Sequence, residues 1–188
     1  MKIAIHQPNF LPWYPFFQKI ESVDRFVILV HCQFEKNNFQ NRFNLNEKWH
    51  TMSVKKGLEL INKKLYISPE KDWNKIKINL SEYDDVLSNF DNCIKENLAE
   101  TNINIIRKMC DLLEIKTDIV IDYPTDFKST DRLVDLCKYY GGTEYLSGSG
   151  GAREYLDTSK FEDIKVDFQD NLIKEHSLET IRSLNEVT

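Results

Sequence analysis

The chain has 188 residues, 41% of them apolar and 12% aromatic, and a domain of that length buries roughly 70% of its unfolded surface, so disorder is excluded as the default. Charged residues make up 29%, yet the net charge is only -5 and the isoelectric point about 5.5. That balance argues against a broad footprint for nucleic acid or an anionic membrane, and leaves room for a local basic patch that holds one phosphate.

Residues 2–6 form a short apolar run with β-branched character, and no secretory signal precedes them. Pro8, Pro12 and Pro15 each remove a backbone donor and turn the preceding residue away from helix, so residues 7–14 are expected to form a stiff, irregular loop. A short helix is expected from about Pro15, with Phe16, Phe17, Ile20 and Val23 on its apolar side. Residues 26–30 are continuously apolar, the pattern of a strand covered on both faces. Strand, helix and strand within about thirty residues mark a right-handed parallel βαβ unit.

Residues 33–46, crowded with Asn, Gln and Phe, read as an extended loop, and residues 49–54 and 64–67 as short strands of an antiparallel addition. Helical patterns over residues 73–80, 86–97 and 103–113 form an insertion around 70–114. Residues 118–122 return to strand. Ser129, Thr130 and Asp131 offer a cap for a helix that buries Leu133, Val134, Leu136 and Cys137, and Gly141-Gly142 ends it. Residues 145–146 and 164–168 are the last strand candidates.

The expected architecture is one α/β domain over residues 1–170, a three-layer, Rossmann-like, mostly parallel sheet with helices on both faces. Residues 171–188 are expected to be a polar helical tail. No apolar run approaches the roughly 20 residues that span a bilayer. With no export signal, the expected compartment is the cytoplasm, where Cys32, Cys93, Cys110 and Cys137 are reduced core or boundary thiols rather than disulfides or zinc ligands.

Three stretches offer chemistry. The loop after the first strand carries His6, Gln7, Phe10 and Trp13 where open α/β sheets bind ligands. His6 is a candidate general acid or base; the competing reading is a ring that hydrogen-bonds the loop backbone. After the second strand come Gln33, Lys36, Asn41 and Arg42, and Arg42 can clamp a carboxylate or phosphate bidentately. The competing reading there is a solvated loop with Arg42 paired to an acid. The third stretch, Ser147, Gly148, Ser149, Gly150 and Gly151 with Arg153 and Tyr155, lets the backbone approach an anion, but it matches neither a Walker loop nor a nucleophile elbow. No spacing marks a metal site. His50 and His176 stand alone in polar surroundings and are expected at the surface. His31 and Cys32, as neighbours in a strand, are expected on opposite faces.

In combination these stretches are more specific. A β-strand leading into His-Gln-Pro-x-Phe-x-Pro-Trp, then Gln33-Phe34, Asn41-Arg42 and Tyr145-Leu146-Ser147-Gly148 with Gly150-Gly151 and Tyr155-Leu156-Asp157, resembles the WbqC-like family over nearly the whole chain, from Met1 to about Asp170. The resemblance implies a cytoplasmic enzyme of the kind found in bacterial surface-polysaccharide (O-antigen-type) and natural-product gene sets, one that transfers an acyl or aminoacyl group to an amino sugar. It maps the family's positions onto His6, Gln7, Pro8, Phe10, Pro12 and Trp13, onto Gln33, Asn41 and Arg42, and onto Ser147, Gly148, Gly150, Gly151 and Tyr155. The sequence departs from the family in two places. Acidic residues are common at the end of the family's second strand, where this chain has Val30, His31 and Cys32, and the family usually continues beyond the last strand, where this chain has only a short polar segment.

The resulting expectation is a transferase with His6 as base and with Lys36, Arg42 and the backbone of residues 147–151 holding a phosphate or carboxylate of a small substrate. No metal, cofactor, nucleic acid or membrane insertion is expected. A non-catalytic metabolite-binding accessory protein and an ATP-dependent amide-forming ligase remain as alternatives.

Overall fold

A computed structural model describes residues 1–148, 156–170 and 176–187. In chain order the first half contains β1 (Lys2–His6), α1 (Tyr14–Glu21), β2 (Arg25–Ile28), β3 (Arg42–Leu45), β4 (Lys48–Thr51), α2 (Pro69–Asn79) and α3 (Asp84–Leu87). The second half contains α4 (Leu98–Leu112), β5 (Asp118–Ile121), α5 (Ser129–Tyr139), β6 (Glu144–Ser147), β7 (Lys165–Phe168) and α6 (Ser177–Val187).

Five strands pair in parallel in the order β5-β2-β1-β6-β7. The chain walks outward from β1 through β2 to β5, then recrosses β1 to lay down β6 and β7. Strand order therefore reverses between β1 and β6, and a crevice opens at the carboxyl ends of those two strands.

Alternation along each strand feeds two cores. Ala4, Phe26, Ile28 and Leu146 face α1 and the helices of the 70–114 region. Ile3, Ile5, Val27 and Tyr145 face α5, which supplies Val134, Leu136 and Cys137. Helices on both faces of a parallel sheet make the three-layer α/β architecture expected from the strand pattern.

Several local expectations need correction. Residues 33–46 are not all loop: Arg42–Leu45 forms β3, which pairs with β4 across Asn46 and Glu47, and both of those residues have positive φ, as a tight hairpin turn requires. Residues 64–67 make only isolated bridges. The helix expected over residues 86–97 stops at Leu87, because the Asn89 side chain donates to the Asp85 and Val86 carbonyls, and a 3-10 turn follows (Ser88–Cys93). The helix from Ser129 begins without a side-chain cap: Ser129 has φ 51°, and the Thr130 hydroxyl accepts instead from the Asp157 backbone N–H. Residues 177–187 are helical, and Leu178 and Ile181 sink into the larger core rather than lying on the surface.

His50 and His176 are also not at the surface. Both are buried, at 6% and 7% exposure, and both pack against the Phe43 ring. β2 ends at Ile28, so His31 and Cys32 lie beyond the strand. His31 turns to Asp122, whereas Cys32 meets the Gln7 amide. All four cysteines are free. Among the described residues no helix is long and apolar enough to cross a membrane.

Candidate functional site

A cavity of about 620 Å³ lies at the switch point, on the α1 side of the sheet. All of residues 6–13 except Pro8 line it. α1 adds Pro15, Phe16 and Lys19, and the segment around β3 adds Glu35, Asn38, Phe39, Phe43 and Asn44. Gly148 and Gln169 reach it from the ends of β6 and β7, and His176 closes it just before α6.

The loop from residue 7 to 13 is fixed from all sides, as its prolines suggest. Asn102, fully buried on α4, donates to the carbonyls of Pro8 at 2.8 Å and Gln40 at 2.7 Å, while its own oxygen accepts from Tyr66. The Phe10 N–H donates to the Phe39 carbonyl at 2.9 Å, and the Ser177 hydroxyl donates to the Pro12 carbonyl. Leu11 sits at φ 43°, a conformation that costs a branched residue on the order of 1–3 kcal/mol and persists only where packing imposes it. Its side chain is fully buried.

His6 ends β1 on the α1 face, with its ring edge-on to Phe16 at 5.1 Å. Its Nδ1 lies 2.8 Å from the Gln7 carbonyl, which can only accept, so Nδ1 carries the proton and Nε2 is the ring's acceptor. Burial, then the charge of Lys19, push its pKa down to about 4, partly opposed by the Gln7 carbonyl. The ring is therefore neutral at pH 7. Gln7 is committed to positioning: its oxygen accepts from Gln40 at 2.7 Å, and its nitrogen approaches Glu35 at 3.3 Å and Cys32 Sγ at 3.4 Å. Burial pushes the Cys32 thiol up to about 11, so it is no thiolate at neutral pH.

The sequence-predicted residues separate into two groups. His6, Gln7, Phe10, Trp13 and Gly148 converge on the cavity. Phe10 does so from the core, at 0% exposure, while Trp13 stands at the mouth, 48% exposed. The second predicted group lies away from it. Arg42 places its guanidinium 4.1 Å from the Trp49 ring centre and donates to the Asn37 carbonyl. Asn41 is buried and donates to the Met52 carbonyl at 2.8 Å. Gln33 forms a backbone bridge with Leu60, and Lys36 is exposed outside the cavity lining. Ser147 is buried at the end of β6. At Gly148 an added Cβ would meet none of the described residues within 4 Å. Ser149, Gly150, Gly151, Arg153 and Tyr155 lie outside the described residues.

Sequence reasoning missed three groups, two of them in the cavity lining. Lys19 lies in the apolar stripe of α1, three residues after Phe16 and four before Val23, and a cation in that stripe is itself a signal. His176 lines the cavity, and burial pushes its pKa down to about 4. Asp122, following β5, lies outside the cavity lining and accepts from the backbone N–H groups of Val30 and His31 and from His31 Nδ1 at 2.9 Å. Among the described residues no three His, Cys, Asp or Glu side chains gather as they would around a metal ion.

Comparison with known proteins fits this geometry into a family. The chain is 30% identical over 186 residues to uncharacterized protein Rv1507c of Mycobacterium tuberculosis, an alignment covering 88% of this chain and 79% of that protein. No solved structure gives a significant match. The model of the WbqC-like protein family matches residues 7–177, from the loop behind β1 to the first residue of α6, and the chain belongs to that family.

Proposed function

We propose that this protein is a cytoplasmic acyl- or aminoacyl-transferase that acts on the amino group of an amino sugar or nucleotide sugar in surface-polysaccharide or natural-product biosynthesis. The observation that carries the reading is His6 in its proton-accepting tautomer, on a cavity at the switch point of a parallel sheet. In the reaction the amine nitrogen attacks the acyl carbon, the C–N bond forms and the bond to the leaving group breaks. The amine proton passes to His6 Nε2 and on to the leaving group. Trp13 and Phe39, each 48% exposed, offer flat apolar faces at the cavity to the ring of a substrate.

The test is product formation from amino-sugar nucleotides and activated acyl donors, followed by mass spectrometry. General-base help is worth roughly 10²- to 10⁴-fold, so His6→Ala should lower turnover by that order while the circular dichroism spectrum is unchanged. An unchanged rate would remove His6 from the chemistry.

A second reading, a metabolite-binding accessory protein without turnover, draws on the low basicity of His6, since general bases work best with pKa near the working pH. Tight binding of a nucleotide sugar with no product from any donor favours it.

A further inference from the structure

Among the described residues, buried cations come with partners, with one exception. Lys64, 1% exposed, donates to Glu59 and to the Gly57 carbonyl, both at 2.8 Å. Arg132, 5% exposed, pairs with Asp122 at 2.8 Å and Asp135 at 3.4 Å. Lys19, 3% exposed, donates only to the Ile5 carbonyl, at a long 3.4 Å, and among the described residues no carboxylate pairs with it.

An ammonium taken out of water without a counter-charge costs several kcal/mol, and such groups normally neutralise or find a partner. Burial alone pushes Lys19 down to about 8, so at neutral pH it still carries its charge. It does so on the wall of a cavity large enough for a small metabolite. A methionine would fill the same place on the apolar side of α1 at no electrostatic cost, so the fold alone does not explain a lysine there.

We propose that Lys19 is the anion anchor of this cavity, the counter-ion for a carboxylate or phosphate oxygen of the bound substrate. The inference rests on reading the cavity as the substrate site, and it moves the anion contact from Arg42 and the 147–151 loop to α1. It also links binding to the chemistry. After burial, the charge of Lys19 is the main influence that keeps His6 from taking a proton. An oxyanion seated on Lys19 cancels that influence, so the ring becomes a stronger base when substrate arrives. Among the described residues, the Gln7 carbonyl and the Phe16 ring also contact His6, and Glu35 and His176 are the other titratable side chains of the cavity lining.

The experiment titrates inorganic phosphate, pyrophosphate and acetate, at matched ionic strength, against the full chain and against Lys19→Met. Thermal unfolding and the His6 ring resonance by NMR are followed together. Wild type should be stabilised by at least one of the three, and its His6 should titrate at higher pH when that anion is present. Lys19→Met should melt higher than wild type without anion, and its anion affinity should fall by at least about tenfold, the loss of one charge-assisted contact. A response to the phosphates alone assigns a phosphoryl group, and a response to acetate alone a carboxylate. Wild type indifferent to all three anions, an undiminished response in Lys19→Met, or a variant that melts lower overturns the anchor. Should that variant not fold, the wild-type response must fade as pH rises above about 8, and its persistence near pH 10 overturns the proposal equally. None of these readouts depends on turnover, so failure of the transferase reading and failure of the anchor are told apart.

Discussion

Arg132 and Lys19 are buried cations on helices packed against opposite faces of one sheet, and the protein treats them in opposite ways. Arg132 on α5 meets Asp122, and Asp122 spends its remaining capacity on the Val30 and His31 backbone and the His31 ring. That network ties β2, β5 and α5 together and is complete without a ligand. Lys19 on α1 meets one carbonyl at long range and opens onto a cavity. A charge satisfied inside the protein is architecture, whereas a charge left incomplete beside a void is suited to a substrate. The same residue class thus carries different meanings on the two faces, and only partner geometry separates them.

The largest expected effect tests the complete side. Asp122→Ala leaves Arg132 buried without its main partner and should cost about 3–5 kcal/mol in urea unfolding. A loss below about 1 kcal/mol would place the network among weak surface pairs and erase the contrast with Lys19.

Next comes acid. His6 and His176 have folded pKa values near 4, below the 6.5 of the unfolded chain. As pH falls from about 7 towards 4, the unfolded state binds protons that the folded state refuses, so stability declines, by on the order of 3 kcal/mol for each ring. Well above 6.5 these rings contribute no slope. Urea midpoints across that range should show the decline, and His176→Gln should flatten it; an identical slope in the variant would mean that this ring is not held neutral.

The smallest effect concerns Arg42. Its stacking on Trp49 is worth about 0.5–1 kcal/mol, so Arg42→Ala should shift thermal unfolding slightly and leave phosphate and acetate responses intact. A drop in anion response larger than that of Lys19→Met would relocate the anion site to the β3 loop.

Local signals carried much of this in the sequence. The strand over residues 2–6, the proline-fixed loop and the βαβ start are written in periodicity and punctuation, and they place the cavity as well as the sheet. What stayed hidden depends on contacts between distant residues. His50 and His176 are isolated polar residues in sequence, and only the fold brings both against Phe43. Asp122 reaches His31 from 91 residues away. Arg42 reads as an anion clamp until the hairpin sets Trp49 beneath it. Lys19 is the instructive case, because its position within an apolar stripe was visible but composition and motif searches do not weigh a cation by the face it occupies.

The bond from Ser177 to Pro12 spans 165 residues, and it bears on how the molecule is made. The proline-fixed loop of the cavity and the residues that brace it, His176 and Ser177, come from segments far apart in the chain. Contacts so far apart in the chain must overcome a large loop-closure entropy before they are rewarded. A nascent chain halted before residue 176 would hold the β1, α1 and β2 unit but lack the side of the pocket that His176 closes. The cavity is therefore completed by long-range closure: its lining is whole only once residue 176 has docked against the proline-fixed loop.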